Sequence, residues 1–255
     1  MKLSREIAAI VTGGGSGMGA ACARVLSTAG VKVALLDVRE EHAAKVAKEI
    51  GGIAISCDVT SAESVTVALA KARTAHGSAR ILVHCAGILA SKRILGKEGV
   101  ADLEHFARTV NVNLIGTFNM LRLASADMAT LEPVTKSGER GVIINTASIA
   151  AFEGQIGQAA YAASKGGVVA LTLPAARELA RIGIRVMAIA PGAVATPMMG
   201  EVTEEYRNAI AASIPFPSRF AEPEEFASLA LHIIENEMLN GTVIRLDGAT
   251  RLAPK

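Results

Sequence analysis

Short apolar runs alternate with longer, alanine-rich segments along the whole 255-residue chain. The apolar runs predict strands near residues 7–12, 31–37, 53–57, 80–85, 141–147, 184–190 and 242–246. The longer segments predict helices near residues 17–29, 40–50, 61–76, 101–130, 157–182, 200–213 and 223–236. Apolar strands that alternate with helices are typical of a parallel sheet covered by helices on both faces. We therefore predict a single-domain, doubly wound α/β fold over residues 1–255, with a seven-stranded parallel sheet.

Composition constrains the core and the partners of this fold. The chain is 51% hydrophobic, but aromatic residues make up only 3% and there is no tryptophan, so the core must be aliphatic and alanine-rich. The 26 basic and 24 acidic residues are scattered and leave a net charge of +2. This distribution argues against a nucleic-acid or anionic-membrane surface. The five histidines show no metal-ligand spacing, and we predict no metal site.

The N-terminal sequence and the cysteines bear on location. The longest apolar stretch, residues 183–195, is interrupted by Arg185 and Pro191 and is too short to span a bilayer. The N-terminal sequence Met-Lys-Leu-Ser-Arg-Glu enters the first strand without the apolar region of a signal peptide. Three cysteines cannot all pair with one another, which favours free thiols. We therefore expect a cytoplasmic protein.

A glycine-rich turn joins the first predicted strand to the first predicted helix, in the sequence Thr12-Gly13-Gly14-Gly15-Ser16-Gly17-Met18-Gly19. Glycines allow a tight turn and the close approach of backbone to phosphate groups. The N-terminus of the following helix offers free N–H groups and a positive dipole end. The pattern predicts a dinucleotide site that holds the pyrophosphate. A strand–helix turn without a ligand is the alternative interpretation.

Asp37 and Asp58 follow the second and third predicted strands. A carboxylate at Asp37 can accept hydrogen bonds from the adenosine ribose hydroxyls and would repel a 2′-phosphate. Ser16 stands where a basic residue could bind that phosphate, and Arg39 is the one contrary sign. The residues therefore favour NAD over NADP. Asp58 could reach the adenine amino group, and its alternative role is in the N-terminal cap region of the next helix.

Tyr161 and Lys165 stand one helical turn apart in the sequence Tyr-Ala-Ala-Ser-Lys, and Ser148 precedes them near the end of an apolar strand. An alcohol that loses a hydride needs a base for its hydroxyl proton, but an unperturbed tyrosine has a pKa of about 10. An ammonium group one turn away favours the phenolate. A pKa of about 7 would need about 4 kcal/mol of stabilisation, which Lys165 and the positive nicotinamide ring of the oxidised cofactor could supply. The pair predicts acid–base catalysis by Tyr161, with an ordinary pair on a solvated helix as the alternative.

Ordered motifs over the whole chain resemble the short-chain dehydrogenase/reductase family. The residues that carry the resemblance are Thr12 to Gly19, Asp37, Cys85-Ala86-Gly87, Asn113, Ser148, Tyr161-Ala-Ala-Ser-Lys165, Pro191-Gly192 and Thr196. The resemblance implies a Rossmann fold and hydride transfer with NAD. It makes Asn113, Ser148, Tyr161 and Lys165 the catalytic residues. Asn113 would hold a relay water, Ser148 would orient the substrate oxygen, and Lys165 would also bind the nicotinamide ribose.

The same resemblance assigns the cofactor contacts. They are Gly13, Ser16, Gly17, Met18, Gly19, Asp37, Asp58, Val59, Cys85, Ala86, Gly87, Tyr161, Lys165, Pro191, Gly192, Val194 and Thr196. Thr196 would bind the nicotinamide carboxamide, or else serve as a turn residue before Pro197. One motif departs from the family pattern, because the usual Asn-Asn-Ala-Gly after the fourth strand is His84-Cys85-Ala86-Gly87 here. We expect His84 to be structural rather than catalytic.

A closer resemblance is to the type-2 3-hydroxyacyl-CoA dehydrogenases, also described as 17β-hydroxysteroid dehydrogenases of type 10. It rests on residues 140–161, 183–192, 214–219, 234–236 and 240–248. It implies a homotetramer and a 3-hydroxyacyl-CoA substrate, bound by Ser148, Gln155, Gln158 and Tyr161. Capping of the helix at 157–182 is the alternative role of the two glutamines. The alternative functions are a hydroxysteroid or other secondary-alcohol dehydrogenase and a dinucleotide-binding scaffold protein.

Two irregular segments and one helix complete the predictions. Residues 191–220 follow a strand end, where ligands bind in doubly wound folds, and their apolar members predict a substrate lid: Met198, Met199, Phe216 and Phe220. Residues 88–100 form a basic loop that could meet a CoA phosphate, although a solvated loop is the simpler interpretation. The helix at 157–182 is apolar on nearly all sides, which suits burial against another subunit. Pro174 should kink this helix or cost it a hydrogen bond.

Overall fold

The computed structural model describes residues 1–97, 99–197 and 203–254, except for the side chain of Tyr206. Within these ranges the strands are β1 Ala8–Thr12, β2 Lys32–Asp37, β3 Ile53–Ser56, β4 Ile81–His84, β5 Leu95–Gly96, β6 Gly99–Val100, β7 Gly141–Thr146, β8 Ile184–Pro191 and β9 Val243–Leu246. The main sheet has seven parallel strands in the order β3-β2-β1-β4-β7-β8-β9, and β5 and β6 form a separate hairpin. The predicted α/β fold and its seven main strands are confirmed.

Helices cover both faces of this sheet. They are α1 Gly17–Thr28, α2 Glu40–Ile50, α3 Ala62–His76, α4 Leu103–Val110, α5 Gly116–Ala129, α6 Ala159–Ala180, α7 Glu204–Ala212 and α8 Pro223–Glu235. Alternate residues of β1 point to the two faces, with Val11 in one core beside α1 and α8 and Ile10 in the other beside α3 and α5. No helix in the described ranges is long and apolar enough to cross a membrane.

The strand order places the functional edge of the sheet. β1 and β4 are neighbours at its centre, and the chain winds outward from them in opposite directions. The crevice between such strands is where doubly wound folds bind ligands. Thr12 is paired with His84, and His84 with Asn145, so the carboxyl ends of β1, β4 and β7 meet there.

The helix predicted at 101–130 is not uniform. It consists of α4, a π-helical turn at Asn111–Ile115, and α5. Such widened turns concentrate at functional sites, and this one contains Asn113. In contrast, α6 runs without interruption through Pro174, which is exposed and which lacks the N–H for one helical hydrogen bond.

The structure also describes most of the two irregular segments, residues 88–100 and 191–220. The basic loop at 88–100 contains the β5–β6 hairpin, which the sequence did not predict. In the predicted lid, Ile214 and Phe220 are buried, whereas Phe216 is 83% exposed. Val194 pairs with Ala221 and ties the start of the lid to its end. Met198 and Met199 lie outside the described residues.

Candidate active site

The glycine turn after β1 is shaped by contacts that only glycine permits. Gly13 and Gly17 have φ angles of +61° and +50°, a region that favours glycine. A Cβ on Gly13 would lie 2.9 Å from the backbone nitrogen of Ala86, and a Cβ on Gly19 would overlap the carbonyl oxygen of Gly13. The turn is therefore packed backbone against backbone, and the N-terminus of α1 opens directly beside it, with Ser16 as its N-cap residue.

Asp37 is fixed beside this turn by two backbone groups. Its Oδ2 accepts a hydrogen bond from the Gly15 nitrogen at 3.1 Å, and its Oδ1 accepts one from the Arg39 nitrogen at 3.0 Å. The Arg39 side chain is exposed. The end of β2 therefore presents a carboxylate next to the dinucleotide turn. This placement fits a ribose with free hydroxyl groups better than a phosphorylated one.

Asp58 and Val59 follow β3 at the same edge of the sheet. The Oδ1 atom of Asp58 accepts hydrogen bonds from the backbone and the hydroxyl of Thr60, at 2.9 and 2.8 Å. Ser61 is the residue that caps α3, since its hydroxyl accepts from the Ser64 nitrogen at 3.1 Å. The alternative role of Asp58 in the helix cap is therefore filled by a neighbour. Val59 is buried, and its carbonyl is held by Asn119.

The segment after β4 is tied to β1 and β7. Thr12 Oγ1 lies 2.8 Å from His84 Nδ1 and also accepts a hydrogen bond from the Ala86 nitrogen at 3.1 Å. Thr146 Oγ1 donates to the His84 carbonyl at 2.7 Å and to Cys85 Sγ at 3.7 Å. Burial, with Lys165 adding to it, lowers the pKa of His84 to about 3, so this ring is neutral. His84 is structural, as expected, and supplies one sheet contact.

Asn113 is fully buried and its amide is used within the protein. Its Oδ1 accepts from the Ile88 nitrogen at 2.8 Å, while its Nδ2 donates to the Ile88 carbonyl at 2.9 Å and to Ser164 Oγ at 3.1 Å. A Cβ on Gly87 would lie 3.1 Å from Asn113 Oδ1 and 3.6 Å from Lys165 Nζ. The side chain thus joins the β4 end to α6, and a relay water would have to use other groups of this turn.

Ser148, Tyr161 and Lys165 come together above this junction. Ser148 Oγ accepts from the Ala150 nitrogen at 3.1 Å, and its hydroxyl is hydrogen-bonded with the Tyr161 phenol, so both hydroxyl groups can face the same substrate oxygen. Lys165 Nζ donates to the Thr146 carbonyl at 2.7 Å and lies 5.9 Å from the centre of the Tyr161 ring. Burial lowers the pKa of Lys165 to about 8, and Cys85 opposes that shift.

Lys165 alone does not lower the pKa of Tyr161. Burial raises the pKa of the phenol, and its hydrogen bond with Ser148 only partly opposes the increase. The phenolate would be a desolvated charge, whereas the Lys165 ammonium is directed at the Thr146 carbonyl. Tyr161 is therefore protonated near neutral pH. Thr146, which the sequence did not single out, is the group that orients Lys165.

The segment after β8 lies over the glycine turn. A Cβ on Gly17 would approach the Thr196 methyl carbon at 3.0 Å. Pro191 ends β8, and the Gly192 nitrogen donates to the Leu246 carbonyl at 2.9 Å. Val194 is buried. The segment that contains Thr196 would therefore cover a ligand bound at the glycine turn. Met18, at the start of α1, packs against the hydrophobic core.

The two predicted substrate residues lie between Ser148 and Tyr161 but contact each other. Gln158 Oε1 accepts from the Gln155 nitrogen at 3.1 Å, and Gln155 Nε2 donates to the Ala253 carbonyl at 3.0 Å. Gln158 is the N-cap residue of α6. Among the described residues, no group of three or more His, Cys, Asp or Glu side chains is placed to hold a metal ion.

The backbone cradle and the adjacent carboxylate fit a nicotinamide dinucleotide. The comparisons with known proteins agree with this geometry. Residues 7–207 match the family model described as short chain dehydrogenase. Similar proteins named 3-hydroxyacyl-CoA dehydrogenase type-2 come from Bos taurus, 51% identical over 257 residues, and Homo sapiens, 50% identical over 254 residues. Each alignment covers 98% of this chain and 97% of the relative.

A solved structure is also similar over nearly the whole chain. The crystal structure of 3-hydroxyacyl-CoA dehydrogenase type-2 from Mycobacterium avium has a TM-score of 0.94 and 44% sequence identity, and the match covers 98% of both chains. The glycine turn, the strand order and the grouping of Ser148, Tyr161 and Lys165 are consistent with these matches. The chain belongs to the short-chain dehydrogenase family, whose members are oxidoreductases that use a nicotinamide dinucleotide.

Proposed function

We propose that this enzyme interconverts a 3-hydroxyacyl-CoA and the corresponding 3-ketoacyl-CoA, with NAD as its cofactor. The observation that carries the chemistry is the contact of Tyr161 with both Ser148 and Lys165, next to the Cys85–Gly87 segment that packs on the glycine turn. The substrate class is supported by relatives of about half-identical sequence that carry this activity in their names over nearly the full chain length.

The nicotinamide ring, when bound, supplies or accepts the hydride. The protonated Tyr161 phenol donates its proton to the ketone oxygen in the reductive direction, and takes it back in the oxidative direction. The Ser148 hydroxyl donates a second hydrogen bond to the same oxygen. Lys165, with a pKa of about 8, carries its charge at neutral pH and stabilises the phenolate that Tyr161 leaves behind.

NAD rather than NADP is supported by the Asp37 carboxylate. It is held by the Gly15 and Arg39 nitrogens, so it cannot turn away from a ribose bound at the end of β2 without losing both hydrogen bonds. A 2′-phosphate at this place would meet a fixed negative charge. Asp58 and Val59 would flank the adenine ring at the same edge of the sheet.

A hydroxysteroid or other secondary alcohol is the second candidate substrate. Phe152 and Ile156 lie between Ser148 and Tyr161 and are about half exposed, and Phe216 is 83% exposed. Such apolar groups discriminate weakly between apolar shapes. A scaffold role without catalysis is the third candidate. The complete set of acid–base residues argues against it.

We further propose that the enzyme works as a homotetramer in the cytoplasm. Helix α6 leaves Ala163, Ala170, Leu173 and Pro174 exposed on one side, before the charged Arg177 and Glu178, and this apolar stretch is suited to another subunit. Cys22, Cys57 and Cys85 are free thiols, as is usual in a reducing compartment. Light scattering tests the assembly, and a monomer would contradict it.

The test follows oxidation of NADH and NADPH in parallel, with acetoacetyl-CoA as substrate. Ethyl acetoacetate and a 3-ketosteroid serve as matched ketones without the CoA group. We expect rapid oxidation of NADH with acetoacetyl-CoA and much slower oxidation of NADPH. Faster turnover of the ketosteroid would favour the second candidate. Cofactor binding without turnover of any ketone would favour the scaffold.

A further inference from the structure

The segment at residues 249–254, after β9, is docked on the segment at 152–156. The Ile156 nitrogen donates to the Pro254 carbonyl at 3.0 Å, and the Gln155 side chain donates to the Ala253 carbonyl at 3.0 Å. The Leu252 nitrogen donates to Glu153 Oε2 at 3.2 Å. Residues 152–156 join Ser148 to Tyr161, so this contact adjoins the catalytic residues.

Glu153 and Arg245 form the anchor of this contact. Arg245 donates to both Glu153 oxygens at 2.9 and 3.1 Å, to the Asp247 carboxylate at 2.6 Å and to the Thr250 carbonyl at 2.9 Å. Both side chains of the pair are about one fifth exposed. The Arg245 guanidinium also lies 5.3 Å from the centre of the Phe152 ring and holds the pKa of Glu153 below its usual range.

The same region contacts the other walls of the cleft. The Phe216 nitrogen in the predicted lid donates to the Gly248 carbonyl at 3.3 Å. A Cβ on Gly192, at the end of β8, would lie 3.1 Å from the Cα and the Cβ of Asp247. On the opposite side, the Lys92 nitrogen donates to the Gly157 carbonyl at 2.8 Å. Residues 245–254 therefore connect the lid, the end of β8 and the 152–157 segment.

We propose that Glu153 and Arg245 are positioning residues that set the affinity for the acyl-CoA substrate, a role that rests on the proposed function. They hold residues 249–254 as one wall of the acyl-CoA pocket and fix the backbone that carries Gln155 and Gln158. The Gln158 side chain accepts a hydrogen bond from the Gln155 nitrogen. A shift of the 152–156 segment therefore also moves the Gln158 side chain, at the start of α6. Neither anchor residue touches the reacting atoms, and the effect of losing it falls on substrate binding.

Glu153→Gln is the test variant, because it removes the charge and keeps the shape. Glu49→Gln is the matched control. Glu49 forms a bidentate salt bridge with Arg24, at 2.8 and 2.9 Å, on the exposed surface of α1 and α2. We expect Glu153→Gln to raise KM for acetoacetyl-CoA about tenfold, which corresponds to about 1.4 kcal/mol. We expect kcat and the KM for NADH to stay within about twofold, and Glu49→Gln to change none of these values.

A second readout does not depend on turnover. Hydrogen exchange of the Leu252 and Ile156 amides should be faster in Glu153→Gln than in the parent or in Glu49→Gln. If the parent reduces no acyl-CoA, the proposed function fails, and the exchange result still decides whether Glu153 holds the segment. An unchanged KM for acetoacetyl-CoA, an unchanged exchange rate, or a fall in kcat at constant KM would each overturn the proposal.

Arg251→Gln keeps the test decisive if Glu153→Gln does not fold. Arg251 is 62% exposed and reaches Glu153 and Asp247 at 3.4 Å, so its loss weakens the anchor without removing it. We expect a smaller increase of KM, about threefold, with the same unchanged kcat. Equal KM values in Arg251→Gln and the parent would count against the anchor.

Discussion

The two sides of the catalytic cleft are held in different ways. On the cofactor side, backbone packs on backbone, as Gly13 does on Ala86 and Gly19 does on Gly13. On the substrate side, side chains join segments that are far apart in the sequence: Glu153 and Arg245 are 92 residues apart and Gln155 and Ala253 are 98. The fold itself therefore fixes the cofactor side. The substrate side depends on a few polar side chains, and substitutions can change it without changing the fold.

The largest expected effect on cofactor binding comes from adding one methyl group to the cofactor side. Gly19→Ala would place its Cβ on the Gly13 carbonyl oxygen, and the turn would have to open. Overpacking of this kind costs about 1–3 kcal/mol, which corresponds to a loss of about fivefold to 150-fold in affinity for NADH if the open turn cannot hold the cofactor. Fluorescence titration of NADH measures it. Gly96→Ala is the control, because Gly96 does not have a positive φ angle and a Cβ there would meet only the Arg93 Cβ, at 3.9 Å. Equal NADH affinity in Gly19→Ala and the parent would contradict the claim that backbone packing shapes the cofactor site.

The next prediction concerns Lys165, which belongs to both the cofactor side and the substrate side of the cleft. Lys165→Met removes the charge beside Tyr161, and we expect kcat for ketone reduction to fall about a hundredfold. In the parent, kcat/KM for reduction should fall as pH rises through about 8, where Lys165 loses its proton. That decrease should be absent from the pH profile of the variant. A parent profile that is flat between pH 7 and 9 would contradict the assignment.

The same variant has a predicted effect on stability. The folded-state pKa of Lys165 is lowered from 10.5 to about 8, so the folded protein binds fewer protons than the unfolded chain between these values. The cost of burying the ammonium is complete below pH 8 and disappears as pH rises towards 10.5. Lys165→Met should therefore raise the free energy of unfolding at pH 7, by about 3 kcal/mol at most. Thermal melts should show this gain narrowing at pH 10, and a variant less stable at pH 7 would contradict the sign.

The smallest expected effect in this series concerns the choice of cofactor. Asp37→Ala removes the fixed carboxylate at the end of β2 and also two hydrogen bonds that it accepts. Because a like charge beside a phosphate costs a few kcal/mol, the preference for NADH over NADPH should fall at least about tenfold. Parallel kcat/KM values for the two cofactors measure the ratio. Asp58→Ala, which removes a carboxylate bonded to Thr60, is the control and should keep the ratio.

Much of the cofactor side follows from the sequence because its causes are local. Two local motifs predict it: a glycine cluster between a strand and a helix, and a carboxylate at the end of the next strand. Each can be recognised from a few consecutive residues. The strand bounds agree to within about two residues because each strand is a short, mostly apolar run with β-branched residues, set between longer helical segments.

The remaining features depend on tertiary contacts. The π-helical turn at Asn113 cannot be recognised in the sequence because the same residues also suit an α-helix, and only the contact of Asn113 with Ile88 and Ser164 favours the wider turn. The pKa of Tyr161 depends on burial, which the spacing of Tyr161 and Lys165 in the sequence does not reveal. The contact between Gln155 and residues 249–254 joins two irregular segments, which no periodicity predicts.

The central claim is that Tyr161 is the acid–base of this site, and Tyr161→Phe tests it most directly. The variant keeps the ring and loses only the hydroxyl group. Turnover of acetoacetyl-CoA with NADH should fall at least about a hundredfold, while NADH affinity and the thermal melt stay close to those of the parent. Turnover within about threefold of the parent, at unchanged NADH affinity, would contradict the account.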